Sequence, residues 1–110
     1  MDEGKSVVNI TPQASKQGIK AMLTAEAEKE GTGLRHFCGR ILEKALKYKE
    51  EYDLPLKKPL PKKGESLNIV VPETVKDALR NWAKEKQTTL GRQCVFILEK
   101  WIEMNGVGRE

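Results

Sequence analysis

Leu34-Arg35-His36-Phe37-Cys38-Gly39-Arg40-Ile41-Leu42-Glu43-Lys44-Ala45-Leu46 returns 56 residues later as Leu90-Gly91-Arg92-Gln93-Cys94-Val95-Phe96-Ile97-Leu98-Glu99-Lys100-Trp101-Ile102. Leu, Cys, Ile, Leu, Glu and Lys coincide at six of the thirteen positions, so the chain carries an internal repeat. The same offset carries Ile19 onto Val75, Lys20 onto Lys76, Leu23 onto Leu79, Ala27 onto Ala83 and Thr32 onto Thr88. Upstream, Val8-Asn9-Ile10 meets Leu67-Asn68-Ile69 at an offset of 59, which leaves three extra residues ahead of the first helix of the first copy.

Each copy reads as strand, helix, turn, helix. In the second, Ser66-Leu67-Asn68-Ile69-Val70-Val71 alternates polar and apolar residues and stops at Pro72, as a short half-buried strand does. Pro72 suits the first turn of a helix, where a missing N–H costs nothing. Val75, Ala78, Leu79, Trp82 and Ala83 then fall on one helical stripe. Thr88 and Thr89 interrupt it, and Thr89 is a good N-cap. Leu90, Cys94, Ile97, Leu98, Trp101 and Ile102 mark the face of a second helix that ends near Asn105-Gly106. In the first copy Val7 to Thr11 is the expected strand and Pro12 the helix start. Ile19, Met22, Leu23 and Ala27 form the first stripe, and Gly31-Thr32-Gly33 the turn. Leu34, Phe37, Cys38, Ile41, Leu42, Ala45 and Leu46 form the second stripe, on a helix expected to run to about Tyr52.

These boundaries divide the chain into a first repeat over 5–52, a linker over 53–65 and a second repeat over 66–106, the two repeats together forming one compact domain. The linker holds Lys57, Lys58, Lys62 and Lys63 among three prolines, which make it extended, on the order of 40 Å at full reach. The chain has 110 residues, 38% hydrophobic and 33% charged, enough for a thin helical core. A half alone would be marginal, because so short a chain buries too little of its surface. The net charge is +4, of which +2 lies in the linker, and a basic balance points to an acidic partner.

Other function classes find no support in the residues. No apolar run reaches the ~18–20 residues of a membrane span, and the N-terminus lacks the layout of a secretion signal, so a cytoplasmic, nucleoid-associated protein is expected. Two cysteines are too few for a disulfide scaffold, and one histidine leaves no zinc set, so no metal or other cofactor is expected. Nucleophile-base pairs, Gly-rich phosphate loops and Ser-Lys dyads are absent, and catalysis is not expected. Cys38 and Cys94, on equivalent stripe positions, read as small buried hydrophobes, with redox sensing the sharper alternative. Trp82, Trp101 and Phe37 lie on core stripes and read as structural residues.

A lone strand leaves both edges unpaired, and two copies resolve this if their strands pair antiparallel. The expected fold is therefore mainly α, with a two-stranded antiparallel ribbon over a core of four helices. At this point the chain resembles the ribbon-helix-helix superfamily of DNA-binding proteins, the Arc/MetJ type, present as two tandem copies closing into an intrachain pseudodimer. The resemblance rests on the short alternating strand, the proline near the helix start, the Thr/Gly turn and the leucine opening the second helix. It spans roughly residues 5–50 and 64–105.

The resemblance implies a ribbon lying in the major groove of double-stranded DNA, with outward strand residues reading base edges. By position these are Val7, Asn9 and Thr11 from the first strand and Ser66, Asn68 and Val70 from the second. Asn9 and Asn68 are the strongest candidates, since Asn bonds adenine N6 and N7 as a bidentate pair. Thr11 and Ser66 suit donors or acceptors, and Val7 and Val70 a thymine methyl. Ribbons of this family often carry Arg, Lys or Gln at such positions. Here only Lys5, beside the strand, is basic, which implies an A·T-leaning site. The plainer alternative is that all of these are solvated strand residues. The resemblance further implies a phosphate held by backbone N–H groups at the start of each second helix, over Gly33-Leu34-Arg35 and Thr89-Leu90-Gly91. The Thr32, Thr88 and Thr89 hydroxyls and the charges of Arg35, His36 and Arg92 would add to it. Lys5, Lys57, Lys58, Lys62 and Lys63 would run along phosphates, although a lysine-rich linker also serves solubility.

Such a protein is expected to be a transcriptional repressor that occludes its operator. An accessory DNA-binding factor of a plasmid or mobile element, of relaxosome or partition type, is the near alternative. Further copies of the chain on adjacent sites are compatible with either. A protein-interaction module that never touches DNA is the alternative from a different class.

Overall fold

The computed structural model describes residues 5–10 (as backbone), 19–53 and 67–105. Along the chain come β1 (Lys5–Ile10), α1 (Ile19–Glu30), α2 (Leu34–Lys47), α3 (Lys49–Tyr52), β2 (Leu67–Pro72), α4 (Glu73–Glu85) and α5 (Leu90–Asn105). β1 and β2 form one antiparallel two-stranded sheet in which Asn9 faces Asn68, Val8 faces Ile69 and Lys5 faces Pro72.

The local chemistry explains each boundary. Pro72 closes β2 with φ −61° and ψ 153°, and α4 begins at the next residue, so Pro72 is the helix cap rather than part of its first turn. Glu73 in that first turn sits well against the positive end of the helix dipole. α1 and α4 end alike. Gly31 and Gln87 both take left-handed backbone, φ 71° and 60°. The next N–H in each case reaches back to the helix, Thr32 to the Ala27 carbonyl at 3.0 Å and Thr88 to that of Ala83 at 2.9 Å. α2 breaks at Tyr48, whose backbone N–H is shared between the carbonyls of Lys44 and Ala45. The expected continuous helix to Tyr52 is thus two pieces, and the break turns Tyr52 into the core at 2% exposure. Burial raises the Tyr52 phenol above its ordinary pKa, with the neighbouring Glu51 carboxylate adding to the effect.

The core joins Leu23 and Ala27 of α1, Cys38, Ile41, Leu42 and Ala45 of α2, and Leu79 and Trp82 of α4. From α5 come Cys94, Ile97 and Leu98, and from β2 Leu67, Ile69 and Val71. Phe37 and Trp101 meet edge to face with centroids 5.5 Å apart. Cys38 and Cys94 are fully buried, and burial pushes both thiols up to about 12. One polar cluster ties α3 to α4. The Trp82 Nε1 donates to Asp53 Oδ1 at 2.9 Å and Lys86 Nζ stands 3.4 Å from the same oxygen. Lys49 Nζ lies 5.1 Å from the Trp82 ring centroid and 3.8 Å from Glu85.

The expected fold class, two like ribbon-helix-helix repeats closing as a pseudodimer over four helices, requires correction. Five helices are described, and among the described residues α3 has no counterpart in the second half. Among the described residues there is one pair of strands, one from each half, and a tandem of ribbons is not shown. The helical surroundings also differ. α4 packs on α5, α2 and both strands, whereas the contacts of α1 are chiefly with α2. The physical reason lies in what the repeat leaves unmatched: Gly39 stands where α5 has Val95, Phe37 where it has Gln93, and Ala45 where it has Trp101. The Pro12 helix start and the 54–65 part of the linker lie outside the described residues. Among the described residues no helix is long and apolar enough to cross a membrane.

Candidate nucleic-acid interface

β2 separates its faces cleanly. Leu67, Ile69 and Val71 are buried, Asn68 is exposed, and Val70 and Pro72 are half-buried. The strand pairing sets Asn9 opposite Asn68 and Val7 opposite Val70, which gathers the two asparagines at one register position. Directly opposed residues of an antiparallel pair have Cβ atoms only ~4.5–5.5 Å apart, within the span of one or two base pairs.

A concavity of about 430 Å³ opens beside Asn68, lined by Leu67, Lys20, and Gly33, Leu34, Arg35 and His36 at the start of α2. Gly33 caps that helix in extended backbone, φ −81° and ψ 155°, and as a glycine has no side chain with which to bond its first N–H groups. Space around Gly33 is open: an added Cβ would meet no atom within 4 Å. The positive end of α2 therefore faces the strand alongside the exposed Arg35 and His36. A second concavity, lined by Thr32, His36, Gly39, Arg40, Glu43 and the Val70-Val71-Pro72 end of β2, continues along the same strand. Gly39 sets how close α2 lies. A Cβ there would run into the Val70 carbonyl oxygen and come within 3.3 Å of a Val71 methyl.

The start of α5 differs. Thr89 Oγ1 accepts from the Arg92 backbone N–H at 3.2 Å, and the Gln93 N–H bonds the Thr89 carbonyl at 2.9 Å, so this end carries its own cap. Thr89 and Arg92 are exposed, while Thr88, Leu90 and Gly91 are half-buried. Leu34 and Leu90 both pack on the core, which leaves their backbone rather than their side chains for any contact with a ligand.

Of the residues singled out in the sequence, Asn68, Val70, Thr32, Gly33, Leu34 and Arg35 come together along β2 and the start of α2. Thr88, Thr89, Leu90, Gly91 and Arg92 form a separate group at the start of α5. Lys5, Val7 and Asn9 are placed by register alone. Thr11, Ser66, Lys57, Lys58, Lys62 and Lys63 lie outside the described residues. Lys20 and Arg40 border the strand although the sequence patterns did not single them out. Lys20 was detectable only as the match of Lys76 in the repeat, which says nothing of where it points. Among the described residues no three His, Cys, Asp or Glu side chains gather as a metal site would need.

Comparison of the chain with protein-family models, with curated proteins and with solved structures finds no match in any of the three. The resemblance to the ribbon-helix-helix superfamily is accordingly withdrawn, and the chain is assigned to no family. The motifs behind that resemblance are short, and short strands, prolines and Thr/Gly turns recur in unrelated helical proteins.

Proposed function

We propose that the chain binds double-stranded DNA, inserting the β1–β2 pair into the major groove. The observation that carries this is the exposed Asn68, set opposite Asn9 and flanked by Lys20, Arg35 and the glycine-capped start of α2. A two-stranded ribbon matches the ~12 Å width of the major groove, and Asn offers the bidentate pair that adenine accepts. The neighbouring cations and helix N-terminus supply what phosphates need. Bound at a promoter, such a protein represses by occluding it.

The experiment is fluorescence anisotropy on duplex DNA, first with a mixed pool at rising salt and then with sequences selected from a random library. Several phosphate contacts give a steep loss of affinity with salt. Asn68→Ala and Asn9→Ala should each remove about 1–3 kcal/mol on selected sequences and little on the mixed pool. Arg35→Ala should weaken all sequences alike and lower the salt slope by about one. Equal losses from Asn68→Ala on every sequence defeat base readout by that residue, and binding indifferent to salt defeats the proposal as a whole.

A further inference from the structure

Given the DNA binding proposed above, on which this rests, we infer that the bound site carries a thymine two base pairs from the A·T pair addressed by Asn9 and Asn68, its methyl group met by Val70. Strand periodicity puts Asn68 and Val70 on one side of β2, since Leu67, Ile69 and Val71, which alternate with them, are buried in the core. Asn68 is exposed and Val70 half-buried. The register sets Val7 opposite Val70, so the level next to the asparagines is valine on both strands. A sheet face kept in water is ordinarily polar, and a valine pair there suits a ligand with an apolar group to cover. In the major groove that group is the C5-methyl of thymine.

Spacing fixes where the methyl lies. Two residues of a strand cover about 6.7 Å, and two steps along a DNA strand cover about 6.8 Å. A ribbon laid along the groove therefore brings Val70 over the second base pair from that of Asn68. The neighbouring charges divide in the same way. Lys20 and Arg35 border the concavity at Asn68, whereas Arg40 and Glu43, of opposite sign, border the one at Val70. Phosphate attraction is thus strongest at the asparagine level, and the valine level is left to apolar contact. The strand is also braced there. The α2 backbone at Gly39 lies so near the Val70 carbonyl oxygen that no Cβ fits between them. Val70 is held at a fixed depth, so that a methyl added or removed opposite it changes the fit.

Anisotropy with the full chain and duplexes selected from a random library tests this, each thymine being replaced in turn by deoxyuridine, which lacks only the methyl. A thymine two base pairs from the adenine whose discrimination Asn68→Ala abolishes should lose about 3–5-fold in affinity, as burial of one methyl predicts. Cytosine placed there should bind about 3–5-fold better once it is methylated at C5. With Val70→Ala the thymine and uridine duplexes should bind alike, while the helical circular dichroism and mixed-pool binding persist. The uridine scan uses the unaltered chain, so it decides the matter even where Val70→Ala folds poorly. Salt-dependent binding with no uridine-sensitive thymine at that spacing overturns the inference and leaves DNA binding standing. Uridine sensitivity that a folded Val70→Ala chain retains overturns it equally. Absence of salt-dependent binding to any duplex defeats the DNA reading and the thymine contact together.

Discussion

The two halves of the chain share a phrase but use it differently, and three matched positions show how. Gly39 and Val95 occupy the same place in the repeat, yet α2 needs no side chain there because its backbone presses on the Val70 carbonyl, whereas Val95 is itself buried in the core. Phe37 packs edge to face on Trp101, while its match, Gln93, is 2% exposed with an amide nitrogen that no acceptor among the described residues meets. Gly31 takes left-handed backbone at no steric cost, and Gln87 takes the same backbone with a side chain to place. A repeat thus preserves the stripe that forms the core and diverges where one helix must lie closer, or one turn tighter, than its counterpart.

Exchanging the matched residues breaks this comparison most forcefully at the first pair. Gly39→Val should cost more than about 3 kcal/mol, since overpacking here drives a side chain into backbone that cannot yield. Urea denaturation measures it, and a loss under about 0.5 kcal/mol would show that α2 does not lie against β2 as described. Gln93→Leu should stabilise the fold by about 1–2 kcal/mol, because it removes a buried donor that meets no acceptor among the described residues. A loss of stability on the same denaturant curves would mean that the amide is satisfied. At the turns, Gln87→Gly should raise stability by about 1 kcal/mol and Gly31→Gln should lower it by about the same amount. Thermal melting with opposite shifts for the two variants checks the pair, and shifts of one sign would remove the likeness of the turns.

The smallest effect sharpens the comparison where the halves agree. Cys38 and Cys94 have thiols raised from 9.0 to about 12 by burial, so the fold keeps both protonated where the unfolded chain ionises. Their contribution to stability is complete below pH about 9 and declines as the pH rises from there toward 12, because the unfolded state releases its protons first. Replacing both by Ala should flatten that alkaline decline in denaturation midpoints. Alkylation at pH 8 should likewise proceed only as fast as the chain opens.

The stripes of α2, α4 and α5 were legible in the sequence, since the burial of Leu42, Leu79, Trp82 and Leu98 follows directly from 3.6-residue spacing. The alternation of β2 was legible for the same kind of reason, with period two. What escaped was set by contacts between distant parts of the chain. Tyr52 lies beyond the second stripe of the first half, and only the break at Tyr48 carries it inward. The Trp82–Asp53 hydrogen bond spans 29 residues and has no local signature. A glycine inside a helix, such as Gly39, announces nothing about which strand it will touch. For the candidate interface only the resemblance, since withdrawn, implied Gly33, Arg35 and Asn68, and nothing in the sequence singled out Lys20 or Arg40, whose places beside β2 depend on how α1 and α2 pack.

The pairing of β1 with β2 has a consequence for how the protein is made. Its partners are roughly sixty residues apart in the chain, Ile10 with Leu67 and Lys5 with Pro72. At the usual ~5–20 residues per second, a ribosome that has released β1 needs on the order of 3–12 s to deliver its complement. For that interval the nascent strand has an open edge and nothing to zip onto, so the ribbon cannot close until more than half of the chain has been made. Any chaperone or neighbouring nascent chain able to grip a bare strand must therefore compete for β1 before translation reaches residue 72.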